Sequence, residues 1–200
     1  MKSALRICSR LLPFLTILFF GSMLFAAEIE VIPVIDACAV NPYRQTFAPI
    51  GDRYQPSIGP GNVNPNVNPE ERCTMQFSLG LIPAGQKIDS ASFVLTCAGG
   101  RGDDAGLVAY GYAGTGRIQA PGNFTDQTNR LAGPADGECP FTTPQDITAF
   151  VSTVYRGGGT HVGITLAVTK DGMRAYYSRD HDGNQPKLVV RYSKANEPEE

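Results

Sequence analysis

Tryptophan is absent from the 200 residues, and histidine occurs only twice, at His161 and His181. Without tryptophan the chain lacks the widest ring on which a sugar can stack. Both histidines are remote in sequence from every cysteine, and no two cysteines form a C-x-x-C, so zinc-site spacing is missing. Nor is there a G-x-S-x-G, an H-E-x-x-H or a phosphate-cradling glycine loop, which removes the local signatures of common hydrolases, zinc peptidases and nucleotide enzymes. Positive charge is also scarce: 17 Lys and Arg face 19 Asp and Glu. A basic face able to neutralise phosphates is therefore not expected, and neither is a nucleic-acid partner.

The first 27 residues have the order of a secretory signal. Lys2, Arg6 and Arg10 precede an apolar stretch over 11–20, and Ala26 and Ala27 stand just before the first acid, Glu28. An apolar run of about seventeen residues would also reach the lower limit for a membrane anchor, but Pro13 and the Ala-Ala end favour cleavage. Loss of residues 1–27 leaves 14 cationic against 19 acidic side chains, a formal charge of −5. The expectation is a secreted, extracellular or periplasmic protein with no membrane span after cleavage. One domain then occupies 28–194, with a disordered tail at 195–200.

Four cysteines remain, Cys38, Cys73, Cys97 and Cys139, and an even number in an exported chain argues for two disulfides among three possible pairings. Strand parity offers a choice. Cys73, Met75, Phe77 and Leu79 share one face, as do Phe93, Leu95 and Cys97. An antiparallel hairpin about Gly85 sets Cys73 opposite Cys97 and Phe77 opposite Phe93, predicting Cys73–Cys97 and leaving Cys38–Cys139; strands on opposite sheets would by the same parity turn both sulfurs into one core and predict the same pairs.

From Cys73 onward the chain reads as short alternating strands cut by Gly, Pro and Asp-Gly turns, an all-β pattern. Val162, Ile164, Leu166 and Val168 alternate with smaller or polar residues. Lys170-Asp171-Gly172 then predicts a hairpin, and strands over 173–179 and 186–192 predict a meander. One short helix is expected, because Ile147, Phe150, Val151, Val154 and Tyr155 recur at helical spacing behind Thr143, Pro144 and Asp146. The Pro- and Gly-rich segment 48–71 and the polar segment 114–140 read as loops.

The run Phe77-Ser78-Leu79-Gly80-Leu81-Ile82-Pro83-Ala84-Gly85-Gln86-Lys87-Ile88-Asp89-Ser90-Ala91 resembles the hallmark of DNRLRE-type domains, also called carbohydrate-binding module family 96 and related to disaggregatase. Asp146-Ile147-Thr148-Ala149-Phe150-Val151 is similar to a second motif of that family. Tyr177-Ser178-Arg179-Asp180 with Pro186-Lys187-Leu188-Val189-Val190 is similar to its ending. Ser78 replaces the family's usual Asp and Asp180 its usual Glu. The resemblance implies a jelly-roll β-sandwich that acts as a secreted, noncatalytic carbohydrate-binding module for a polysaccharide or cell-surface glycan. An extracellular structural or adhesion domain that binds another protein is the alternative.

Sugar recognition combines rings for C–H faces with planar polar groups for hydroxyls, each ring contact contributing about 1 kcal/mol. On the strand over 173–179, Arg174, Tyr176 and Ser178 share the face opposite Met173, Ala175 and Tyr177, and are expected to point outward. Tyr110 and Tyr112 form a similar pair. These four residues, Tyr110, Tyr112, Arg174 and Tyr176, are the candidate ligand-binding set. Arg179 and Asp180 read as a tie across the closing hairpin. Asp180-His181-Asp182-Gly183-Asn184 has calcium-loop composition, but Gly183 comes too early for the EF-type pattern, so no metal or other cofactor is assigned. Arg101-Gly102-Asp103 is an integrin-type tripeptide and Asn123-Phe124-Thr125 a formal sequon. No nucleophile and base pair is evident, and no catalytic residue is assigned.

Overall fold

The computed structural model describes residues 26–40, 46–48, 53–54, 57–58, 71–101, 106–119, 121–137, 139–170 and 172–195. Most of the signal segment, much of the 48–71 loop, Gly102 and Asp103 of the integrin-type tripeptide, and residues 196–200 lie outside that set. The strands are β1 Ala27–Val31, β2 Pro33–Val40, β3 Thr46–Ala48, β4 Arg53–Tyr54, β5 Ser57–Ile58, β6 Glu71–Ser78 and β7 Gln86–Val94. They continue with β8 Cys97–Arg101, β9 Leu107–Gly114, β10 Asn129–Ala135, β11 Gln145–Asp146, β12 His161–Val168, β13 Gly172–Tyr177 and β14 Lys187–Lys194. Two helices intervene, α1 Gly122–Thr125 and α2 Thr148–Arg156.

Every pairing is antiparallel. One sheet has the order β1-β14-β7-β11; the larger runs β10-β9-β12-β6, and β2, β3, β4, β5, β8 and β13 extend it. The chain crosses between the sheets from β1 to β2, β6 to β7, β7 to β8 and β13 to β14, so the two layers share one core in an all-β sandwich of jelly-roll type. Alternation decides what enters that core. Met75 and Phe77 from β6, Val162, Ile164 and Leu166 from β12, Phe93 from β7, and Leu188 and Val190 from β14 are all buried in one apolar cluster. Phe93 meets Phe141 edge to face at a centroid distance of 5.7 Å, a favoured geometry for ring quadrupoles.

Two expected connections are corrected. β6 and β7 do not form a hairpin about Gly85. β6 pairs with β12 and β2, while β7 pairs with β14 and β11 in the other sheet. The 162–192 meander is likewise absent: β13 pairs with β4, β5 and β8, and β14 lies across the core beside β1 and β7. A sandwich reproduces the parity of a hairpin, because strands facing each other across a core also turn their apolar sides together.

The disulfides follow from this layout. Cys38 on β2 is the register partner of Cys73 on β6, and the two are bonded with Cα atoms 4.0 Å apart. Cys97 is bonded to Cys139, with Cα atoms 5.6 Å apart. The structure therefore replaces the expected Cys73–Cys97 and Cys38–Cys139 pairs. Cys38 stands directly opposite Cys73 on the neighbouring strand β2, whereas Cys97 lies on β8, elsewhere in the same large sheet and beside β13.

α2 begins later than Thr143 suggests. The Asp146 carboxylate accepts from the Thr148 backbone N–H at 2.9 Å and from its hydroxyl at 2.6 Å, leaving Thr148 as the first helical residue. Val151 and Val154 are buried, and the helix ends where Gly158 takes a φ of +76°, a region open to glycine at little cost. α1 is a second helix, found inside the predicted 114–140 loop. The segment 115–128 that carries it lies across the outer face of the large sheet, so β6 and β12 are buried on both sides.

Candidate functional site

The tyrosine and arginine face expected at the surface is not there. Tyr176 is 0% exposed and belongs to the apolar core cluster, and Arg174 is 1% exposed. The face of β13 read as outward is thus the inward one. Parity specifies two faces without saying which is wet, and Tyr176 fills more core volume than Ala175 on the opposite side. The Tyr176 hydroxyl donates to the Pro140 carbonyl at 2.5 Å, which makes its burial tolerable. Burial drives its pKa well above the ordinary tyrosine value, while the nearby Arg174 charge works the other way.

Tyr110 and Tyr112 do lie on the outer side of the large sheet, but the 115–128 segment covers that side. Tyr110 is half-buried and Tyr112 only 5% exposed. Tyr112 shares a 2.7 Å hydrogen bond with Thr74 Oγ1 and accepts from Gln76 Nε2 at 3.3 Å. Burial raises its pKa from 10.0 to about 12, against the opposing effect of those two bonds. Gln76 also donates to the Arg117 carbonyl at 2.7 Å and accepts from the backbone N–H groups of Thr115 and Gly116. Thr165 donates to the Asn123 carbonyl, Arg72 to that of Phe124, and Phe124 is fully buried. This is a second, small, polar-walled core rather than a ligand face.

The remaining candidates are bound up in structure. Arg179 pairs with Asp180 at 3.0 Å, donates its backbone N–H to Asp36 Oδ2 at 2.9 Å, and donates from its guanidinium to the Val34 carbonyl. The pair thus ties the segment after β13 to β2, and it occupies the first carboxylate of the calcium-like loop. His161 Nδ1 lies 2.9 Å from the Thr160 hydroxyl, and the His181 ring packs on Tyr177 at a centroid distance of 3.9 Å. Among the described residues one His/Cys/Asp/Glu trio is close enough to hold an ion, Cys38, Glu71 and Cys73, and both of its sulfurs are in the disulfide. Within the sequon, the Asn123 side-chain carbonyl accepts from Gln119 N–H at 2.6 Å.

Two open depressions flank α2, and Ala149 and Gly159 touch both. The smaller, about 720 Å³, lies between α2 and the β9–β10 edge and is lined by Phe150, Asn129, Thr128, Thr153 and Leu131, with Arg130 at its margin. Phe150 can settle there because residue 111 is glycine: a Cβ would stand 2.7 Å from the Phe150 ring atoms. Asn129 donates from Nδ2 to the Gly111 carbonyl at 3.3 Å, which orients its amide. A ring, a planar amide and two hydroxyls therefore converge on one concavity. The larger depression, about 1070 Å³, lies on the other side of α2 against the 79–88 segment and the end of β14.

These residues escaped the sequence reading because β10 carries Gly133 and Pro134, which disguise a strand as loop. The available signal was Phe150, a large ring next to the small and polar positions Ala149 and Thr153 of an amphipathic helix. The fold and these sites define a two-sheet, disulfide-bearing β-sandwich with concave surfaces grouped about one helix. Comparison with protein-family models and with curated proteins gave no match. The resemblance to DNRLRE-type domains thus rests on the motif residues themselves.

Proposed function

We propose that the chain is an exported, noncatalytic carbohydrate-binding module that seats a polysaccharide or surface glycan in the cleft between α2 and β10. The observation that carries the reading is the convergence of Phe150, Asn129, Thr128 and Thr153 on that cleft. Sugar C–H faces pack on rings, and sugar hydroxyls need both donors and acceptors, which an amide and two hydroxyls supply. Export is supported by the signal-like order of residues 1–27 and by two disulfides, which persist in oxidising compartments. No helix among the described residues is long and apolar enough to cross a membrane.

The test is binding of the oxidised full chain, produced with its own leader, to a polysaccharide array that includes neutral and uronic-acid polymers. Selective binding that is lost in Phe150→Ala and in Asn129→Ala, with both variants folded by near-ultraviolet circular dichroism, supports the reading. Failure of a folded protein to bind any glycan overturns it in favour of an extracellular structural or adhesion domain. That second reading is favoured by the larger apolar depression.

A further inference from the structure

We infer that the groove on the far side of α2 docks an extended, acidic peptide segment of a partner protein, one that inserts apolar side chains between carboxylates. The inference does not depend on the glycan reading, because its residues are different. The floor is formed by the buried Leu79, Ile82 and Ile88, with Ala149, Ser152 and Tyr155 of α2 along one wall. Beside the floor, Leu81 is 65% exposed, the most exposed large hydrophobic residue described. An apolar trough with such a lip is the kind of surface that marks an interaction site on a soluble protein.

Charge selects the partner. Among the described residues, Lys87 and Arg156 are the only charged side chains lining the groove, and both are cations. Lys87 is 3.3 Å from Asp89, a pair exposed enough for a competing carboxylate to exchange into it. Arg156 turns its Nε back to the Ser152 carbonyl at 3.3 Å, which holds the guanidinium against the helix. A carboxylate-bearing ligand is therefore favoured over a basic one.

Size and openness select a peptide. At about 1070 Å³ and open to solvent, the groove matches the upper end of the ~300–1,000 Å³ range of ligand clefts without enclosing its contents. An extended segment can lie along it and bury alternate side chains. The groove is also formed in advance. Tyr155 donates to the Pro83 carbonyl at 2.5 Å and accepts from the Gln86 backbone N–H at 3.3 Å, pinning the loop to the helix. Binding then requires little ordering of the receptor.

The experiment uses fluorescein-labelled octapeptides, one alternating leucine with glutamate and one alternating leucine with lysine, titrated into the oxidised full chain and followed by anisotropy. The leucine–glutamate peptide should bind and the leucine–lysine peptide should not. The double reversal Lys87→Glu with Arg156→Glu should weaken binding about tenfold or more, equivalent to about 1.4 kcal/mol. Phe150→Ala, in the other cleft, should leave it unchanged. Equal binding of both peptides, no binding of either, or indifference to the double reversal overturns the assignment. Tighter peptide binding on deletion of residues 196–200, which carry three glutamates among the five residues that follow Ala195, would give the groove to the chain's own tail and also overturn it. Glycan binding serves as the control: its loss with peptide binding intact would implicate the other cleft alone.

Discussion

The Tyr112 ring lies directly over Gly163, so close that a Cβ at 163 would stand 2.5 Å from its Cε1 atom. The two are register partners on β9 and β12. This contact lets the large sheet hold a buried tyrosine whose hydroxyl reaches Thr74 and Gln76. Gly163→Ala should displace the ring, break both bonds and destabilise the protein by about 2–3 kcal/mol, the range for overpacking with loss of a buried hydrogen bond. Tyr112→Phe should cost about 1–2 kcal/mol through the partners it strands. Urea unfolding of both variants checks the order; a neutral Gly163→Ala contradicts it.

The same tyrosine predicts alkaline sensitivity. Its folded pKa is raised to about 12 from 10.0, so the unfolded chain gives up the proton first as pH rises. The contribution is intact below the unfolded value near 10 and is lost as pH climbs through about 12. Tyr176 shifts in the same direction. Urea midpoints measured from pH 8 to 12 should fall above pH 10, and fall less steeply in Tyr112→Phe. An identical slope in that variant would remove Tyr112 as the cause.

Acid works through a different residue. The Thr148 hydroxyl and backbone N–H hold the Asp146 carboxylate below its usual pKa. The stabilisation is therefore present above the ordinary aspartate value and is lost as pH falls through the lowered one. Asp146→Ala should weaken the start of α2, by about 1 kcal/mol for loss of its hydrogen bonds from Thr148, and reduce the acid sensitivity of unfolding. Asp146→Asn should retain part of that bonding and lose the pH dependence.

The disulfide pattern is directly testable. Nonreducing proteolytic maps should join Cys38 to Cys73 and Cys97 to Cys139. Replacing Cys97 and Cys139 together by serine should cost about 4 kcal/mol in the chain-entropy model for a separation of 42 residues. Recovery of a Cys73–Cys97 peptide would contradict the register of β2 on β6 that sets Cys38 opposite Cys73.

The sequence was legible where one physical rule acted alone. Alternation of Val162, Ile164, Leu166 and Val168 marked β12 and its core face, and the spacing of Ile147, Val151 and Val154 marked α2. It failed where a rule leaves two solutions. Cys73 keeps the parity of Phe77 on β6, but the strand read over 92–97 ends at Val94, and Cys97 opens β8 in the other sheet, so the parity of Phe93 does not carry through to Cys97. The Arg174 and Tyr176 face was inverted for a related reason: a tyrosine with one hydroxyl to satisfy enters a core when a carbonyl such as that of Pro140 is waiting. The cleft about Phe150 was hidden because it joins a helix to β10, a strand that glycine and proline disguise as loop.

The central claim is the glycan seat between α2 and β10, and the most direct measurement is amide chemical-shift mapping of the 15N-labelled oxidised protein titrated with an oligosaccharide of its best array polymer. The account predicts shifts concentrated at Thr128, Asn129, Phe150 and Thr153, abolished by Phe150→Ala. Shifts centred instead on Ser90, Ser92 and Arg191, on the outer face of the four-stranded sheet, would contradict it.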